Sequence, residues 1–393
     1  MKRLLTVLIA LLSCLAAPAQ DFIVWPGIVE ETATGHRTQT GSKNALCVAL
    51  VACPPGGTIE VNGALPHVDL ALGPGYRKNE AVRDVPFDVT LVGGQDASVR
   101  GFSISAAGGG VAYLHIKGLA IDARGSQVGV LGYMDTRLGT LVFEDVDLLS
   151  DSKTKWGFRI HGWAEDISFI GVRGWDGGQE HLAYVDATRK GVHVDGVVGS
   201  HWRRTLVQVV CREQPGSPGI LRPAPSGNVS IENCRAYDCG ADGAFNYTVA
   251  GWPAGQVRFA GNYGESKYET GLFVCYYDQK QGGLVTADGY ATAHVIWSHN
   301  VGIFPNGVRE VNGIGSVGLL EVRVGDINSA FNYSPNRGMN LAMNGKACGE
   351  VQLQSRVDPN TWNWQSPKMF LLGSTVLTPE NVRALWASPE GGD

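Results

Sequence analysis

The chain has little charge, no basic cluster and no long apolar run. Only 18% of its 393 residues are Asp, Glu, Lys or Arg, the formal net charge is -5, and no Lys/Arg run exceeds two residues. The basic patch of a dedicated nucleic-acid binder is therefore missing. Beyond residue 19 no segment is apolar over the roughly 20 residues that a membrane-spanning helix needs. A Walker A loop, His-Glu-x-x-His and Gly-x-Ser-x-Gly are all absent. Gly108 to Gly110 precede a strand-like segment rather than joining a strand to a helix, which excludes a nucleotide fingerprint. No helical pattern separates the β-rich segments, so leucine-rich and βαβ schemes fail. What the chain does have is glycine, 53 residues or about 13%, against a usual share of roughly 7%. No G-X-Y period accompanies it, so collagen is excluded, and 44% hydrophobic residues exclude a disordered chain.

The N-terminus reads as an export signal. Lys2 and Arg3 precede the apolar run Leu4 to Leu12, and Ala17-Pro18-Ala19 supplies a small-x-small cleavage site, so cleavage is expected after Ala19. Leu11 to Cys14 also has the form of a lipobox, which would make Cys14 a lipidated N-terminus. The expectation is a secreted or periplasmic protein, with an outer-membrane lipoprotein as the alternative. Removing Lys2 and Arg3 leaves 30 basic against 37 acidic residues, a net charge of -7. Seven cysteines would remain: Cys47, Cys53, Cys211, Cys234, Cys239, Cys275 and Cys348. An odd count leaves at least one thiol without an internal partner, although export permits disulfides. Cys234 and Cys239 lack the second pair that a zinc site requires.

A repeat of about 25 residues organises the chain. Short β-rich segments begin at Ala112, Leu141, Ile167, Val192, Val229, Val257, His294 and Leu319, in steps of 29, 26, 25, 37, 28, 37 and 25 residues. The two long steps carry extra loops, Gln214 to Ser226 and Gln279 to Tyr290. Each repeat has a second short strand, as in Gly157 to Ile160, Leu182 to Val185, Leu206 to Val209, Ala244 to Tyr247 and Gly271 to Val274. A unit this small cannot bury an apolar face alone, but stacked units share one continuous core. Two or three strands in about 25 residues are too few for a propeller blade. The alternation of Val, Ile and Phe with polar residues fits a parallel β-solenoid. Thr90 to Ile104 has the form of an earlier coil.

A solenoid has open ends that must be covered. Ser42 followed by Lys43 to Ala52 reads as a capped apolar helix, which Cys53-Pro54-Pro55-Gly56-Gly57 stops before the strand Thr58 to Asn62. Thr378, Pro379 and Glu380 predict a short helix over 379–387. Pro359 to Pro367, with Trp362 and Trp364, is expected over the last coil. Together the capping helix, the Pro-Gly-Gly-Thr-Ile transition and the repeats resemble the right-handed parallel β-helix superfamily, the pectin-lyase-like fold, over roughly residues 42–330. The resemblance implies an all-β, single-stranded right-handed parallel β-helix of eight to ten coils, with an N-terminal capping helix and a short C-terminal helix. The expected division is a signal peptide at 1–19, a β-helix domain at 20–358 and a C-terminal cap or tail at 359–393. That fold hosts lyases, hydrolases, epimerases, phage spikes and adhesins, so it does not select a function.

Equivalent positions on successive parallel strands stack about 4.8 Å apart. Aligning the second strands puts Arg159, Tyr184, Gln208, Asn246 and Phe273 in one outward column. Lys155, Glu180, Arg204, Asp242 and Glu269 fall just before it, and His161, Asp186, Thr248 and Cys275 just after. Tyr276, Tyr277 and Asp278 follow on the last of these strands. Aromatics beside charges on a long shallow face suit sugar rings, which have apolar faces and hydroxyl edges. The other reading is a solvated face whose charges balance along the column.

The resemblance implies chemistry for such a face. Uronate lyases of this fold often use Arg or Lys as base, or a Tyr/His set, sometimes with Ca2+ on acidic residues. Removing a proton α to a carboxylate requires a base and a positive group for the developing enolate. Arg204 suits the substrate carboxylate, and Tyr184 or His181 the proton transfer. Glu180, Gln208, Arg159, Asn246 and Tyr276 are candidate substrate contacts. Asp242 and Glu269, one coil apart, are a candidate Ca2+ pair, although the Asp-rich loop of an EF-hand is absent. Arg204 between acids also reads as a salt-bridge ladder, His181 as a turn residue and Tyr184 as simple binding surface. Glycoside hydrolysis needs two carboxyls at about 5 Å or about 6.5–9.5 Å, which Asp238, Asp242 and Glu269 can supply. The paired aspartates expected of polygalacturonase-like members are absent. The expected partner is thus a polysaccharide or oligosaccharide, cleaved by β-elimination, with hydrolysis or binding without turnover as the alternatives.

Overall fold

The computed structural model describes residues 20–72, 80–104, 110–132, 137–161, 163–186, 190–212, 227–239, 245–250 and 257–265, together with the strands 273–278, 291–298, 301–303, 320–325, 351–357, 370–372 and 375–377. The expected leader, the long loops at 214–226 and 279–290, the C-terminal helix at 379–387 and Cys348 lie outside these residues.

Among the described residues the chain is all-β with one helix, Ala45–Ala52. Successive strands rotate through three sheets. Trp163–Ile170 belongs to the first sheet, Arg173–Trp175 to the second and His181–Asp186 to the third. Gly191–Asp195 then returns to the first sheet beside the starting strand. In the first sheet a parallel run extends strand by strand from Gly57–Val61 to Ala291–Ser298. This rotation fits a β-helix-like fold. The second sheet consists of strands of two or three residues, too short to show a period of two, and the sequence pattern resolved only the other two sheets.

The core is built from inward columns. On the first sheet Phe143 pairs with Phe169 and Phe169 with Val194. On the third, Phe158 pairs with Ala183 and Ala183 with Val207. Across the core Phe143, Phe158 and Phe169 meet with ring centroids 4.8–5.2 Å apart. All three are essentially fully buried.

In six successive described coils, the turn from the first sheet to the second uses the left-handed region at one fixed position. Gly118, Asp145, Gly171, Gly196, Asn233 and Gly261 have φ of 51° to 64° there. A ladder joins these corners, the N–H of Gly118, Asp145, Gly171, Gly196 and Asn233 donating to the carbonyls of Glu144, Ile170, Asp195, Glu232 and Ala260. A side chain normally costs about 1–2 kcal/mol in that region, which is why Gly, Asn and Asp recur at the corner.

The ends are covered. Phe22–Trp25 continues the parallel run of the first sheet at its start, and Ile28–Glu31 and His36–Gln39 add to it antiparallel. Val351–Val357, Phe370–Leu372 and Thr375–Leu377 extend it antiparallel at the other end. The helix is shorter than expected, and its N-cap is Asn44, whose side chain accepts from Leu46 N–H, rather than Ser42. Leu320–Gly325 belongs to the third sheet, beside Phe273–Asp278, and not to the first as its spacing suggested. Cys47, Cys53, Cys234 and Cys239 are buried thiols and not disulfide partners. Burial pushes the Cys53 thiol up to about 11 and the Cys234 and Cys239 thiols up to about 12, so none supplies a thiolate at neutral pH. No helix among the described residues is long and apolar enough to cross a membrane.

Candidate functional site

The third sheet brings most of the described candidate residues together. Arg159 pairs with Tyr184, Tyr184 with Gln208 and Gln208 with Asn246, so four positions of the expected column are in register. The fifth is corrected. Asn246 pairs with Val274, and Phe273 pairs with Phe245, a core residue. One extra residue between strands is enough for this slip. It also moves Cys275 beside Tyr247 and puts Tyr276 beside Thr248. Gln208 keeps the outward side of its strand by register but is covered, being only 9% exposed.

The turn into this sheet stacks Lys155, Glu180 and Arg204. Glu180 N–H donates to the Lys155 carbonyl and Arg204 N–H to the Glu180 carbonyl. The Arg204 guanidinium donates from Nη1 to Glu180 Oε2 at 3.0 Å, with both side chains partly exposed. The expected ladder contact therefore exists, and it also holds the guanidinium at the edge of the column. His181 follows Glu180 but is no surface turn residue, at 1% exposure. Its Nε2 lies 3.9 Å from Glu180 Oε2. Burial, then the positive charge of Arg204, hold the imidazole well below its ordinary range, opposed only weakly by the Thr205 backbone. His181 is therefore neutral at pH 7. Its Nδ1 is buried and has no hydrogen-bond partner.

Tyr184 sits between two imidazoles. Its ring centroid is 5.2 Å from that of His181 and 5.1 Å from that of His161. Arg159 Nε donates to His161 Nε2 at 2.6 Å. A guanidinium has no acceptor, so Nε2 is the lone-pair side of that ring. The Arg159 guanidinium also lies 4.3 Å from the centroid of Trp156, and Lys155 Nζ lies 5.8 Å from the same ring. Trp156 escaped sequence reasoning. The available signal was an aromatic one residue after Lys155 and three before Arg159, a spacing that lets both cations reach it.

The described part of the face thus carries Arg159 beside Tyr184 and, in the turns leading into it, Lys155 and Arg204, with Glu180 as the paired carboxylate. It lies on a chain whose overall charge is negative. Asn246 and Tyr276 are placed here by register alone. Asp242 and Glu269, the candidate Ca2+ pair, lie outside the described residues. Among the described residues no three His, Cys, Asp or Glu side chains gather to hold a metal. No protein-family model, curated protein or solved structure matches this chain.

Proposed function

We propose that the chain is an exported member of the right-handed parallel β-helix superfamily. In this reading it binds an acidic, uronate-containing polysaccharide along the third sheet and cleaves it by β-elimination. The observation that carries the reading is a run of three cations, Lys155, Arg159 and Arg204, on the same sheet and its entry turns as one tyrosine flanked by two histidines. Strands 4.8 Å apart present these groups as a shallow track. A sugar polymer can lie along such a track and repeat its contacts coil by coil.

In the proposed reaction Arg204 faces a uronate carboxylate and stabilises the enolate that forms as the α-proton leaves. Stabilising charge that develops only in the transition state raises turnover rather than mere affinity. Tyr184, central and partly exposed, takes the α-proton as the phenolate and passes it to the departing sugar oxygen as the carbon–oxygen bond at the β-carbon breaks and the double bond forms. The neutral His181 behind it is a positioning residue, because its burial keeps it from substrate. A positioned proton-transfer group contributes roughly 10²–10⁴-fold. Glu180 orients Arg204, and Trp156 and Arg159 offer a stacking surface and a second cation.

Polygalacturonate and alginate are the substrates to test. β-elimination leaves an unsaturated uronate with a new ultraviolet absorbance, and hydrolysis leaves reducing ends without it. Absorbance that appears with wild-type protein and falls at least tenfold in Tyr184→Phe supports the reading. Reducing ends alone assign hydrolysis instead, and binding without either product makes the chain a carbohydrate-binding solenoid.

A further inference from the structure

The first sheet carries a second constellation, on strands that the proposed groove does not use. Ser230 is the direct register partner of His193 on the neighbouring strand. Their Oγ and Nδ1 atoms are 3.3 Å apart. On the next strand back, Asp166 pairs with Gly191, two residues before His193 and so on the same face. Asp166 Oδ1 lies 3.7 Å from His193 Nε2. That oxygen is buried and accepts no hydrogen bond, so a carboxylate oxygen withheld from water faces the imidazole. The approach depends on a glycine: a Cβ at Gly191 would come within 2.9 Å of His193 Nε2. On the far side of Ser230, Arg258 is its register partner, its Nε 3.4 Å from Glu232. Acid, imidazole, hydroxyl and guanidinium therefore follow one another over four successive strands.

The geometry points to a nucleophilic serine site formed by Ser230, His193 and Asp166, with an O-acyl ester as its substrate class. With Ser230 donating to Nδ1, the ring proton lies on Nε2 and faces Asp166. Such contacts are often looser without substrate than in the complex. In the first step Ser230 Oγ attacks the ester carbonyl carbon and His193 takes the hydroxyl proton. Arg258 faces the negative oxygen of the tetrahedral intermediate. Collapse breaks the carbon–oxygen bond, His193 returns the proton to the departing alkoxide, and the acyl group stays on Ser230. Water, deprotonated by His193, then attacks the acyl-serine and releases the carboxylic acid and free Ser230.

An ester fits better than an amide. The backbone N–H groups around Ser230 are committed to strand pairing on both sides, so no backbone oxyanion hole is formed. One oxyanion donor contributes about 10²–10³ in kcat, and a site with a single cationic donor suits the better leaving group. His193 is half exposed, which leaves the face open to an acyl substituent on a large polymer.

The full-length chain is treated with a fluorophosphonate probe, and the adduct is mapped by mass spectrometry. Turnover of p-nitrophenyl acetate is followed in parallel. The expected adduct is on Ser230, absent in Ser230→Ala and formed about a hundredfold more slowly in His193→Gln. Ser168→Ala should match wild type, because Ser168 flanks His193 on the opposite side without a hydrogen bond to it. Circular dichroism establishes that each variant keeps its β-sheet signal. A folded wild-type chain that gives no Ser230 adduct overturns the proposal, as does a labelling rate unchanged in folded His193→Gln. If His193→Gln fails to fold, the location of the wild-type adduct and the turnover of the ester decide alone.

Discussion

Arg204 and His181 show how one turn residue and its neighbour acquire different roles from burial alone. Arg204 keeps its guanidinium partly in water and pairs with Glu180, whereas His181 turns inward and stays neutral. Arg204→Ala should weaken binding of a uronate oligosaccharide by roughly ten- to a hundredfold, the value of a charge-assisted contact of about 1.5–3 kcal/mol. Arg204→Lys should restore only part, because an ammonium lacks the planar fork. Titration calorimetry checks both. His181 makes a prediction about pH. Its folded-state affinity for protons is depressed, so below the ordinary imidazole range near 6.5 the unfolded chain binds a proton that the folded chain refuses. Stability should be level in this respect above pH 7 and decline as pH falls through 6. Urea midpoints across pH 5–8 test this, and His181→Asn should flatten the decline. The column Arg159, Tyr184, Gln208 and Asn246 was legible because strand alternation has a fixed period of two. The burial of Gln208 and His181 was not, because burial depends on tertiary packing that strand alternation does not encode.

The corner between the first and second sheets is the element that sets the repeat. Six successive coils hold Gly, Asn or Asp in the left-handed region there, since few residues tolerate the conformation. Gly196 gives a clean test: its added Cβ would meet nothing closer than 3.7 Å. Gly196→Ala should therefore cost only the conformational term, about 1–2 kcal/mol, read as a lower urea midpoint with an unchanged circular dichroism spectrum. A loss above about 4 kcal/mol would mean that the corner resists a side chain for steric reasons absent here. Some elements left little signal in the sequence. Strands of two or three residues show no alternation, and Leu320–Gly325 has the same aliphatic spacing as a first-sheet strand although it lies in the third.

At the scale of the whole molecule, one continuous core joins the coils, so a loss at one coil is felt by its neighbours. Phe158 bridges two first-sheet phenylalanines. Phe158→Ala should cost about 3–5 kcal/mol, visible in chemical denaturation, with the greatest loss of hydrogen-exchange protection in the coils around residues 137–186. The overall charge is negative while the described third-sheet face is rich in cations, and this contrast underlies the functional proposal. The central claim is that the face, and not the chain as a whole, selects an acidic polysaccharide. The most direct test is the affinity of the purified chain for a uronate oligosaccharide and for a neutral one of equal length, measured for wild type, Arg204→Ala and Arg124→Ala. Arg124 is an exposed arginine in an earlier turn, already paired with Asp122. The account predicts preference for the uronate, loss of that preference in Arg204→Ala and no change in Arg124→Ala. Equal affinity for both sugars, or equal losses in the two arginine variants, would contradict it.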